Sequence, residues 1–113
     1  MGGEEEVGLA LTTLLAFIRI ATDPRVYQAP MDAGQAIELV ESWLRRPNVQ
    51  LIGPTDAHWR TLTDLVASGQ ARGPVVMDAH LAALTIEHGG TLATVDRDFS
   101  RFAGLRTIDP TAT

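Results

Sequence analysis

The sequence predicts an α/β domain built on a mostly parallel sheet. Segments of helical period alternate along the chain with short apolar segments rich in β-branched residues. Glycine and proline breaks separate them, as at Gly53–Pro54, Gly73–Pro74 and Gly89–Gly90. At 113 residues, 45% hydrophobic and 20% charged, the chain has the size and composition of one globular domain over 1–113, without repeat or linker.

The first six residues, MGGEEE, read as a flexible tail. VGLALTTLLAFIRIA, residues 7–21, reads as a short strand followed by a helix, both buried. TDPRVYQAP is a loop, because Pro24 and Pro30 oppose helix. A helix then starts at Asp32, where Asp32 and Gln35 form a capping pair. Ala36, Val40, Trp43 and Leu44 fall on one face of it, and Pro47 and Asn48 end it. Val49 to Ile52 is a strand. Thr55 or Asp56 caps the next helix, which carries Ala57, Leu62, Leu65 and Val66 at helical spacing and closes near Gly69. Met77 to His88 is the third long helix, stopped by Gly89 and Gly90. TLATV is a strand, DRDFSRF a turn or single helical turn, and LRTI a last strand before Pro110.

Composition narrows the function classes. The absence of cysteine excludes disulfides and thiolate zinc sites. A net charge of −5 argues against a large basic surface for nucleic acid. The apolar run from Val7 to Ile18 falls short of the ~20 residues that span a bilayer. Three glutamates precede it, where a signal peptide carries positive charge. The expectation is a soluble, cytoplasmic protein.

The most informative stretch is MDAHLAALTIEHGGTLATVDRDF, Met77 to Phe99. A helix from Asp78 to His88 is roughly 15 Å long. The strand from Thr91 to Asp96 returns about the same distance. Asp78 and Asp96 should therefore meet near the carboxyl edge of the sheet, where open α/β sheets place their sites. Carboxylates gathered there repel one another, and a divalent cation would relieve the repulsion. All-oxygen ligation suits magnesium or manganese, which can polarise a phosphate and activate water. The plainer alternative makes Asp78 a helix cap and Asp96 and Asp98 turn residues.

The segment RGPVVMDAHLAALTIEHGGTLATVDRDFSRFAGLRTIDP resembles the C-terminal half of PIN-domain ribonucleases, in particular VapC-type toxins of toxin–antitoxin pairs. LLAFIRIATDPRVY resembles their early segment, so the likeness runs from about Val7 to Pro110. It implies a PIN-like α/β/α sandwich and magnesium- or manganese-dependent endoribonuclease cleavage of RNA; single-stranded or looped RNA is the expected substrate class, because unstacked strands can reach a recessed site. It also implies a homodimer and a VapB-type antitoxin partner. By the same resemblance Asp78 and Asp96 are the metal ligands, Asp98 joins them as a catalytic acid, and Thr94 lies beside the metal. Two departures stand out. The opening strand with its aspartate and the following helix have no counterpart, so the resemblance reads as N-terminally truncated. The glutamate expected at Leu14 or Ala16 is also absent. A catalytically impaired PIN remnant acting as a protein-binding module is the alternative function, and a plain α/β domain the third.

Other polar residues have humbler expectations. Arg97 and Arg72 flank the acids and are candidate phosphate contacts, whereas Arg101 reads as a solvated side chain making local ion pairs. His80 reads as structural, and His58 and His88 as surface or helix-end positions. Trp43 reads as core and Trp59 as an interface residue.

Overall fold

The computed structural model describes residues 5–111. The chain divides into two compact units, Met1–Gly53 and Pro54–Thr113. Residues 1–4 of the expected tail lie outside the described residues. Glu5 holds the chain down, its carbonyl accepting from the Asn48 side chain at 2.9 Å.

In the first unit β1 (Val7–Ala10) runs directly into α1 (Leu11–Ala21), with Ala10 still extended as its N-cap. α2 (Ala33–Leu44) follows, and β2 (Val49–Ile52) returns parallel to β1, Val7 opposite Val49 and Ala10 opposite Ile52. The helices form the crossover that a parallel pair requires. The capping box at α2 is as expected. The Asp32 carboxylate accepts from Gln35 N–H at 2.8 Å, and the Gln35 side chain accepts from Asp32 N–H at 3.0 Å. Ala36 and Val40 are buried, and Trp43 is half-buried with its ring edge-on to Phe17 at 5.0 Å. The expectation that residues 7–21 are wholly buried needs correction. Leu14 is 5% exposed, but Leu11 and Leu15 are 54% and 55% exposed. Within this unit α1 packs on α2 and β1, which cover only one side of it.

The second unit holds α3 (His58–Ser68), α4 (Val75–Glu87), β3 (Leu92–Ala93) and β4 (Thr107–Ile108), the two strands again parallel. A 3-10 helix, Arg97–Arg101, fills the DRDFSRF segment. α3 packs on α4 over Leu65, Ala79, Ala82 and Ala83, and Phe99 and Phe102 complete the core. Phe102 needs Gly69: a Cβ there would meet the Phe102 ring at 3.0 Å and the Leu65 carbonyl oxygen at 2.9 Å.

Several boundaries move. α4 starts at Val75, two residues before Met77, because Pro74 already holds helical angles (φ −58°). Ala57, not Thr55 or Asp56, is the N-cap of α3. β3 and β4 keep two residues each of the longer segments expected, with Thr94 N–H donating once more to the Ile108 carbonyl. Among the described residues both sheets have two strands, so every strand leaves an open edge. No helix among them is long and apolar enough to cross a membrane.

Candidate active site

Three elements of the second unit deliver the acids. Asp78 lies in the first turn of α4. β3 leads through Thr94 to Asp96, which caps the 3-10 helix, and Asp98 lies in the first turn of that helix. The local folding is simple. Asp96 N–H donates to the Thr94 hydroxyl at 3.0 Å, and the Asp96 carboxylate accepts from Asp98 N–H at 2.8 Å. Asp96 and Asp98 are exposed, and Asp78 is half-buried.

The electrostatics tie the three together. Burial pushes the Asp78 carboxyl above its ordinary value, and the charges of Asp96 and Asp98 push it further. Arg101 opposes them. A carboxylate in the first turn of a helix should be favoured by the helix dipole, so the upward shift means desolvation and repulsion win. The cap alternative for Asp78 is overturned: the N-cap of α4 is Pro74 and no side chain caps it. The turn alternative describes the geometry of Asp96 well, since its carboxylate closes an Asx turn. Arg72 and Arg97 are exposed. Arg101, expected to be solvated and to make local ion pairs, attracts the Asp78 carboxylate and also donates to the Gly69 carbonyl at 3.3 Å.

The donor set suits a hard divalent cation: all oxygen, mutually repelling, one member partly desolvated. Among the described residues no three acidic or histidine side chains converge enough to enclose an ion unaided. The acids also lie outside the shallow depression lined by Asp56, Ala57, Trp59 and Arg60. An exposed acid pair suits a polymer substrate better than a small molecule that needs enclosure.

A second cluster, missed from the sequence, joins α3 to α4. His58 Nδ1 lies 2.8 Å from Glu87 Oε2, and His58 Nε2 lies 2.9 Å from His80 Nδ1. The other Glu87 oxygen accepts from Thr55 N–H at 2.7 Å. His58 is therefore no surface residue: its side chain is 12% exposed and that of Glu87 3%. Burial raises the Glu87 pKa, but the bonds from Thr55 and His58 outweigh it and hold the carboxyl below its ordinary value. An ionised carboxylate only accepts, so His58 Nδ1 carries a proton toward it. Burial, then the neighbouring His58, lowers the His80 pKa. The sequence signal was faint: His80 and Glu87 stand seven residues apart, on one helix face.

The architecture is α/β, with two carboxylates where a strand meets a following 3-10 helix and a third acid on the preceding helix. The PIN domain family matches residues 4–105. The chain is 38% identical over 112 residues to ribonuclease VapC37 of Mycobacterium tuberculosis, covering 99% of this chain and 78% of the relative. Ribonuclease VapC33 of the same species is 36% identical, with coverages of 97% and 77%. VapC ribonuclease Mb2897 of Mycobacterium bovis is 35% identical, with coverages of 95% and 73%. The chain belongs to the PIN-domain family.

Proposed function

We propose that this chain is a divalent-metal-dependent endoribonuclease of the VapC type, the toxin of a toxin–antitoxin pair. The observation that carries the reading is the electrostatic discomfort of Asp78, half-buried and facing the charges of Asp96 and Asp98. The VapC ribonucleases aligned over nearly the whole chain support it.

In this reading Asp78 and Asp96 hold Mg2+ or Mn2+, with Asp98 as supporting acid. The cation supplies charge stabilisation at a phosphate and activation of water. The Thr94 hydroxyl and the Asp98 N–H fix the backbone and carboxylate of Asp96, so that ligand is oriented before substrate arrives. Arg72 and Arg97 are free to meet RNA phosphates, and Arg101 offsets part of the negative charge that would repel the substrate backbone. The two units act as one domain, in the cytoplasm. A VapB-type antitoxin and a second copy of the chain are the partners. Exposed apolar side chains such as Leu11, Leu15 and Trp59 give them surface to cover.

The test is cleavage of a labelled single-stranded RNA with Mg2+, Mn2+ or a chelator. Cleavage should require the cation and fall by roughly 100-fold in Asp78→Asn and in Asp96→Asn. Cleavage that survives the chelator, or that both substitutions leave intact, would contradict the reading.

A further inference from the structure

We infer that the Glu87–His58–His80 chain is a positioning device: it fixes the register of α4 against α3 and thereby the place from which Asp78 leaves its helix. The inference rests on the nuclease reading of Asp78.

The packing between the two helices explains why such a device is useful. The fully buried centre of the face that α4 presents to its core is Ala79, Ala82 and Ala83, each 0% exposed, with half-buried Val75, Leu81 and Ile86 packed around it. The ridges of an alanine centre are shallow and interlock little, so dispersion contacts there hold the register only weakly. Hydrogen bonds are directional and weaken steeply with misalignment. His58, the first residue of α3, binds α4 through both ring nitrogens, to Glu87 at 2.8 Å and to His80 at 2.9 Å. Those two partners are separated by seven residues, about 10.5 Å along the helix axis. One ring bonded at once to side chains from two different turns of α4 would lose at least one of those bonds in a slip of half a turn. The Thr55 N–H bond to Glu87, at 2.7 Å, anchors the entry to α3 at the same place. A slip would also strand the Glu87 carboxylate, 3% exposed, without its donors.

Asp78 sits on the same helix two residues before His80, so their side chains leave it roughly 200° apart. The chain thus acts on the acid through the helix. That makes His58, His80 and Glu87 positioning residues.

The substitutions separate this role from plain stability. His58→Ala cuts both links. His80→Ala cuts one and leaves the buried carboxylate paired, so it serves if His58→Ala does not fold. Glu87→Gln keeps a closed chain of reversed polarity. The amide oxygen accepts from Thr55, the amide nitrogen donates to His58 Nδ1, and His58 Nε2–H donates to His80. Binding of Mn2+ to the full chain is read from loss of the free-ion electron paramagnetic resonance signal, beside kcat and KM for RNA. Folded His58→Ala or His80→Ala should bind Mn2+ about tenfold more weakly and lose kcat by a similar factor, with KM for RNA changed less than about twofold. Glu87→Gln should stay within about twofold of wild type. Folded alanine variants that bind and cleave like wild type would overturn the inference, as would Glu87→Gln as damaged as His58→Ala. A wild-type chain that neither binds Mn2+ nor cleaves would overturn the nuclease reading itself, and the positioning role with it.

Discussion

Asp78 carries an acid where the helix dipole should welcome it, and its carboxyl is nevertheless raised above 3.8 by burial and by Asp96 and Asp98. A carboxyl with a raised folded pKa binds its proton more tightly in the native state. Its ionised form therefore costs stability, from about the unfolded pKa upward, and the cost is complete above the folded pKa. At neutral pH without metal, Asp78→Asn should stabilise the chain, seen as a higher urea midpoint, while lowering metal-dependent cleavage by roughly 100-fold. An unchanged or lower midpoint would show that Asp78 is comfortable as it is. His80 gives the opposite pH signature. Its pKa lies below 6.5, chiefly through burial, then through His58, with Glu87 opposing. The unfolded state takes up that proton first, so stability is full above about pH 6.5 and declines as pH falls toward the folded pKa. Urea midpoints at pH 7.5, 6.5 and 5.5 should fall in that order and fall less in His80→Gln. Helix and strand lengths put Asp78 and Asp96 toward one edge of the sheet, and in the fold the charges of Asp96 and Asp98 act on Asp78. The sequence did not show which charge would be buried, nor that His58 would be trapped between Glu87 and His80. Those facts depend on how α3 lies on α4, and nothing local encodes it.

At the scale of elements, stops were more legible than starts. The end of α4 follows its two glycines. Gly89 sits at φ +68° and its N–H donates to the Ile86 carbonyl, while Gly90 N–H donates to that of Thr85. This is the Schellman arrangement, and Arg106 adds a bond to the Gly89 carbonyl at 3.0 Å. Gly89→Ala should cost about 1 kcal/mol, because a Cβ at positive φ is strained. An equilibrium urea titration measures it, and no loss would mean the cap is not held in solution. The beginning of α4 escaped prediction for a particular reason. Asp78 looked like a cap, but Pro74 fixes its own φ and pulls the helix two residues earlier. Strand lengths were overestimated at opposite ends of the two segments. In TLATV the apolar residues continue past the last paired residue, Ala93, and Val95 is 66% exposed; in LRTI the pairing begins only at Thr107.

At the scale of the molecule, the α/β class was legible from alternation of periods alone, and the family match over residues 4–105 spans both compact units. What one chain's sequence could not convey is how its acids are charged in the fold. In the proposed site Asp78 and Asp96 hold one divalent cation, with Asp98 in support. The most direct measurement is paramagnetic broadening of backbone amide resonances in the full chain during titration with substoichiometric Mn2+. Amides near Asp78 and along Thr94–Phe99 should broaden first, and Asp78→Asn should remove the selectivity. Uniform broadening, or first losses around other carboxylates such as Asp56 and Asp64, would contradict the proposed site.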